Sequence, residues 1–272
     1  MLTRIRKISV LILSKVNLPL LFIMKPRVLL KRARKQKTIV VTAADYSHER
    51  SLIRLIDSLI THEPFIEIVV YDLGLSKEVV ERIKKLGVKK RLTLEKFEFF
   101  RYPKWMNINT KNNGEYAWKP IIIQQVLESA SSPSVIFWLD AGCILIKSID
   151  KIVDYASTYG FWAPYSEGQV KQWCHPEVLS ALEVEDWVAF KKNLAAGLIA
   201  FSTENINAKQ LLKSWQSHAL IRRHIGPKQS NRSNHRQDQS LLSILAHQRG
   251  LAPGKIAASL WIGRLLKHQD VG

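Results

Sequence analysis

"TIVVTAADYSHERSLIRLIDSLI", residues 38–60, decides how the chain is read. The first five residues are all β-branched, and two alanines follow before an acid, Asp45. The remainder places Leu52, Leu55, Ile56 and Leu59 at i, i+3, i+4 and i+7, one face of a helix. The same strand-then-helix order recurs. "IEIVVYDLG" (66–74) reads as a strand ending at Asp72, and "SKEVVERIKKLG" (76–87) as a helix with Ser76 as N-cap and Gly87 as stop. "RLTLEKFEFF" (91–100) reads as a third strand, and residues 102–116 as a polar, Asn-rich loop. "WKPIIIQQVLESA" (118–130) reads as a helix with Pro120 in its first turn, and "SVIFWLD" (134–140) as the next strand. This alternation predicts an α/β fold with a mostly parallel sheet flanked by helices on both faces. Ligands of such open sheets bind beyond the carboxyl ends of the strands. The segment Thr42–Tyr46, Asp72 and Asp140 all lie at predicted carboxyl ends, and are expected to converge on one cleft.

The second half is less regular. "NLAAGLIAF" (193–201) reads as one strand, and "INAKQLLKSWQSHALI" (206–221) as a helix. "RRHIGPKQSNRSNHR" (222–236) reads as a long basic loop with five Lys/Arg and no acid. "QDQSLLSILAHQRG" (237–250) reads as a final helix with Asp238 in its first turn and Gly250 as its stop.

The 272 residues suffice for one large domain, and 46% hydrophobic residues exclude a disordered chain. The formal net charge is +18, but residues 1–37 hold eleven Lys or Arg and no acid, leaving +7 for the rest. A surplus placed mostly in a leader, with no recognised nucleic-acid motif, weighs against a nucleic-acid-binding protein. Two cysteines, Cys143 and Cys174, make no disulfide framework and read as free thiols of a reducing compartment. The apolar run 8–24 contains Lys15, Asn17 and Pro19, is flanked by basic residues, and lacks a small-residue cleavage site. It reads as a segment lying in the interface of an anionic membrane, on its cytoplasmic face. A helix packed on the domain or on a partner is the alternative reading. The expected organisation is a leader at 1–37, a domain at 38–250 and a tail at 251–272.

Several residues are of the type and position to carry chemistry. Asp45 and Tyr46, after the small Ala43 and Ala44, suit a nucleotide base, with Asp45 accepting from a base N–H; Asp45 suits a helix cap equally well. Asp140 suits a divalent cation that holds a diphosphate, or a ribose or sugar hydroxyl; it also suits an Asp-x-Gly turn. Lys119, at a helix start, suits a diphosphate or simply solvent. Asn193 and Gly197 suit a sugar held against the backbone. Asp238 follows two candidate cations, His235 and Arg236, and suits a general base or a group orienting the donor; it also complements the helix dipole.

Over residues 38 to about 250, these segments together resemble the GT-A fold glycosyltransferases, nearest to family 8 and to a GT-A-like branch bearing "YDLGLS", "YAWKP", "WLDAG" and "HRQDQS". The resemblance implies a Rossmann-like GT-A domain that moves a sugar from a nucleoside-diphosphate-sugar, UDP-sugar favoured, to a glycan or lipid-linked acceptor in cell-surface polysaccharide synthesis. It implies uracil and ribose at Ala44, Asp45 and Tyr46. It implies the donor sugar near Asn193, Ala196 and Gly197, with the Asp-Gln pair at Asp238 and Gln239. It implies a divalent metal, Mn²⁺ or Mg²⁺, on an Asp-x-Asp motif aligned with Asp140-Ala141-Gly142. There the second acid is Gly142, and the family's late His-x-x-Gly-x-x-Lys-Pro-Trp motif is not found, "WIGRLLKH" (261–268) being unlike it. The expectation is therefore that Lys119 and the basic loop neutralise the leaving diphosphate. The other class left open is a catalytically inactive glycan- or nucleotide-binding module.

Overall fold

Alternate residues of the first strand, β1 (Lys37–Ala44), feed two separate cores: Ile39, Val41 and Ala43 one, Val40 and Ala44 the other. Successive side chains of a strand point to opposite faces, so a strand apolar on both must be covered on both. The computed structural model describes residues 37–89, 91–110 and 113–267. The apolar run 8–24 and its expected membrane role lie outside the described residues.

Helix α1 (Glu49–His62) buries Leu52, Leu55, Ile56 and Leu59 completely, the face its periodicity set out. Strand β2 (Glu67–Asp72) follows, then α2 (Lys77–Lys89), whose first turn is capped by the Ser76 hydroxyl accepting from Val79 N–H at 3.3 Å. Gly87 does not stop this helix. It lies inside α2, where a Cβ would stand 2.7 Å from the carbonyl oxygen of Leu92, at the start of β3 (Leu92–Lys96), so the close approach of the two backbones asks for glycine. Strand β3 ends earlier than expected, where Phe97 packs on Phe99 and stacks on Tyr102. The Asn-rich segment then runs through a 3-10 turn at Lys104–Met106 and a left-handed turn at Asn113–Tyr116.

Helix α3 (Trp118–Ser129) is nearly all buried, and leads into β4 (Ser134–Leu139), which is buried throughout. Next come β5 (Cys143–Leu145), α4 (Asp150–Tyr159), β6 (Phe161–Trp162) and β7 (Tyr165–Gln169). Short helices α5 (Pro176–Ala181) and α6 (Asp186–Ala189) precede β8 (Lys192–Leu194) and β9 (Leu198–Ser202). Residues 193–201, expected as one strand, are therefore two, parted at Ala195–Gly197: β8 pairs with β7, while β9 joins the main sheet. Then follow α7 (Ile206–Ala219), the single turn α8 (Arg222–Ile225), α9 (Gln237–Gln248), α10 (Lys255–Ala258) and β10 (Leu265–Lys267).

The main sheet has the order β3-β2-β1-β4-β9-β6. Strands β3, β2, β1 and β4 are parallel, with Val41 opposite both Val69 and Trp138; β9 runs antiparallel to β4 and β6. Residues from α1, α2 and α4 pack on one face and residues from α3, α7 and α9 on the other. The segment after 250, expected as a tail, is part of the domain. Strand β10 pairs with β5, Trp162 Nε1–H donates to the Ala257 carbonyl at 2.7 Å, and Tyr165 donates to the Pro253 carbonyl at 2.6 Å. A free strand edge is costly to leave open, and β10 covers that of β5. Among the described residues no helix is long and apolar enough to cross a membrane.

Candidate donor site

The strand order reverses between β1 and β4, since the chain runs outward from β1 to β3 on one side and to β4 on the other. Such a switch point opens a crevice at the carboxyl ends of the two strands. A cleft of about 300 Å³ lies there. Its walls include Ala44 and Asp45 at the end of β1, Trp138 and Asp140 at the end of β4, Gly197 before β9, and Asp238 and Gln239 at the start of α9.

Asp140 is both a turn residue and a cleft residue. Its backbone carbonyl accepts from Cys143 N–H at 3.0 Å, closing the Asp-Ala-Gly turn, and its N–H donates to the Gly197 carbonyl at 2.9 Å. Its carboxylate is a separate matter: Oδ1 accepts from Trp138 Nε1–H at 2.7 Å and lies 3.2 Å from the Lys119 ammonium. Asp238 approaches the same ammonium from the opposite element, with Oδ2 at 2.9 Å, at ion-pair distance although off the line of a hydrogen bond. The Lys119 ammonium also lies 3.4 Å from the Ala196 carbonyl and 5.7 Å from the ring centroids of both Tyr116 and Trp138. Lys119 is 4% exposed and Asp238 5% exposed. Burial opposes the charge on Lys119, but Asp140 and then Asp238 outweigh it and raise its pKa. Burial also raises the Asp238 carboxyl, and Lys119 only partly offsets this.

Asp45 makes no capping bond to the turn that follows it. Its Oδ1 instead accepts from Ser47 at 2.8 Å and meets His48 Nδ1 at 2.6 Å. Burial acts to raise its pKa, but these hydrogen bonds win and hold it below the usual carboxylate value. Arg232 and Arg236 complete the wall from the basic loop, Arg232 near the Tyr116 ring and Arg236 at 4.1 Å over the Trp173 ring.

The structure thus brings Ala44, Asp45, Lys119, Asp140, Gly197, Arg236, Asp238 and Gln239 to one cleft. Five expected residues do not line it. Thr42 is fully buried within β1, and Tyr46 is 72% exposed. Asp72 is spent on a turn, its Oδ1 accepting from Gly74 and Leu75 N–H at 2.7 Å each. Asn193 is buried behind the wall, where it donates to Ser166, which also accepts from Gln239. His235, expected as a cation, is fully buried and pushed down to about 4, chiefly by burial, so it is a neutral ring. Sequence reasoning missed Trp138 and Tyr116, and had Arg232 only as one of the cations of the basic loop. Trp138 had a signal, standing two residues before the acid on the same face of the strand.

The carboxylates do not suit a resident divalent metal. Hard cations take several oxygen ligands, and both acids already face one ammonium. Two residues after Asp140 stands Gly142, which brings no oxygen from a side chain. Among the described residues no three His, Cys, Asp or Glu side chains group around a metal-sized space. Two unit charges 4 Å apart repel by about 4 kcal/mol at an effective dielectric of 20, and a dication beside Lys119 doubles that.

A family model described as a protein of unknown function, DUF1647, matches residues 11–124. No curated protein matches the chain. Among solved structures, the WbbM bifunctional glycosyltransferase in its apo form superposes with a TM-score of 0.51 at 14% identity, over 77% of this chain and 38% of that one. The chain thus spans well under half of that relative's length. Core-mannan synthase A of Aspergillus fumigatus, in its Mn/GDP form, superposes with a TM-score of 0.51 at 8% identity, over 79% of this chain and 74% of that one. At such identities the likeness shows the fold, a GT-A-type mixed α/β domain.

Proposed function

We propose that this chain is a glycosyltransferase that takes its sugar from a nucleoside-diphosphate-sugar, with a UDP-sugar favoured as in family 8 and a glycan or lipid-linked acceptor of cell-surface polysaccharide synthesis. The observation that carries the reading is the convergence, at the switch point of a GT-A-type sheet, of Asp140, Asp238 and Lys119 from three distant elements. Core-mannan synthase A, which shares the fold, was solved in an Mn/GDP form, and a nucleotide ligand for this chain is in keeping with that.

In this reading the base rests against Ala44 and Asp45, and Arg232 and Arg236 meet the diphosphate. The bond from the sugar's anomeric carbon to the phosphate oxygen breaks. A bond forms from that carbon to an acceptor hydroxyl oxygen. The hydroxyl proton passes to Asp238, the carboxylate that burial makes more basic, and the nucleoside diphosphate leaves. Asp140 orients the donor.

The test is a thermal-shift panel of UDP-, GDP-, CMP- and dTDP-sugars on the full chain, followed by product analysis. A ligand at 100 times its Kd stabilises by about 2.7 kcal/mol, so one nucleotide class is expected to raise Tm clearly. Asp140→Asn is expected to abolish transfer while leaving the Tm of the free protein within a few degrees. No shift with any nucleotide sugar sinks the proposal; a shift with neither transfer nor donor hydrolysis reduces the chain to a nucleotide-binding module.

A further inference from the structure

We propose that Lys119 is the resident cation of the cleft, standing where a divalent metal would otherwise bridge two carboxylates and a diphosphate. What the cation does rests on the donor-site reading above; that it occupies this place does not.

A buried lysine is rare unless paired, and a single carboxylate would satisfy it. Lys119 has two, and they come from different parts of the fold: Asp140 after β4 and Asp238 on α9, while Lys119 itself opens α3. The remaining neighbours of the ammonium are also electron-rich, namely the Ala196 carbonyl and the faces of Tyr116 and Trp138. Aromatic faces attract cations. The fold therefore sets two carboxylates, a carbonyl oxygen and two aromatic faces around one position and fills it with a covalently tethered positive charge.

Magnesium-type sites hold the ion by one or two carboxylates and leave its other positions to water and substrate phosphates. Asp140 and Asp238 are such a pair, but their mutual space is taken. The ammonium carries one charge against the pair's two, and Arg232 and Arg236 add two further positive charges to the wall of the cleft. A tethered cation cannot be removed by a chelator. Nucleotide binding is then independent of divalent metal.

The experiment is a titration of the full chain with Mn²⁺ alone, followed by the paramagnetic signal of the free ion. The wild type is expected to show no site tighter than about 1 mM. Lys119→Met, which keeps the length of the side chain but not its charge, is expected to gain one site about tenfold tighter or more. Adding Asp238→Asn to that variant is expected to remove the site again. A wild type that binds Mn²⁺ as tightly as Lys119→Met overturns the proposal. Should Lys119→Met fail to fold, the wild type decides: an Mn²⁺ site tighter than about 1 mM overturns the proposal, and equal affinity for UDP in chelator and in Mn²⁺ supports it. Failure of the donor-site reading looks different, since no nucleotide would bind in either condition while the manganese titrations still separate wild type from variant.

Discussion

His235 is held neutral by the two groups its ring nitrogens meet. Nε2–H donates to the Ile225 carbonyl at 3.0 Å, and Nδ1 accepts from the backbone N–H of His175 at 3.3 Å. A second proton on Nδ1 would point at an N–H, on a ring that is fully buried. Burial first, and the nearby His175 ring after it, depress the pKa from 6.5 to about 4, against the pull of the Ile225 carbonyl. The folded state thus binds fewer protons than the unfolded one between those values, so stability is complete above about 6.5 and is lost as pH falls toward 4. At 1.36 kcal/mol per unit, the loss amounts to roughly 3 kcal/mol. Denaturant titrations between pH 7 and pH 4.5 should show a shallower pH slope for His235→Gln than for the wild type. Equal slopes would refute the assignment. Asp140 teaches the companion lesson: its backbone makes the turn and its side chain makes the site, so the two readings of one acid were never exclusive.

Among the elements, the segment leading into α3 decides where Lys119 stands. Asn113, Gly114, Glu115 and Tyr116 all have positive φ, between 50° and 63°. Glycine adopts such φ at little cost and asparagine visits it, so the strain falls on Glu115 and Tyr116. The segment holds because Glu115 is buried against Arg222 at 3.0 Å, and Arg222 lies over the Trp105 ring. Gly226 leaves room for that carboxylate, since a Cβ there would stand 2.6 Å from it. At Gly114 a Cβ would stand 2.0 Å from the Met106 carbonyl oxygen. Gly114→Ala is therefore expected to lower stability by about 1–3 kcal/mol and to weaken nucleotide binding by displacing Tyr116 and Lys119. An unchanged denaturation midpoint would show that the backbone here yields freely. None of this was legible in residues 102–116, where a polar, Asn-rich composition says loop and nothing of its path.

For the whole molecule, the charge asymmetry carries a proposal of its own, that the leader holds the chain on the cytoplasmic face of an anionic membrane. Each Lys or Arg near such a surface adds about 1 kcal/mol, and residues 1–37 hold eleven of them with no acid. The full chain should co-sediment with vesicles containing phosphatidylserine, leave them as salt rises, and ignore neutral phosphatidylcholine vesicles. Equal sedimentation with both would remove charge as the cause.

The sequence by itself determined the order of strands and helices in the first half, because burial on two faces writes a continuous apolar run and burial on one face writes a 3.6-residue period. It also determined that Asp45 and Asp140 stand at carboxyl ends of strands, since that follows from where apolar runs stop. Only the tertiary structure decided that "NLAAGLIAF" is two strands serving two sheets, and that the segment after 250 closes the edge of β5. It alone set Lys119 between Asp140 and Asp238 and withdrew Asp72, Asn193 and His235 from the cleft. The physical reason is range. Periodicity and turn chemistry are local and repeat within a few residues, whereas an ion pair joining residues 119, 140 and 238 depends on how the sheet is ordered and which helix covers which face.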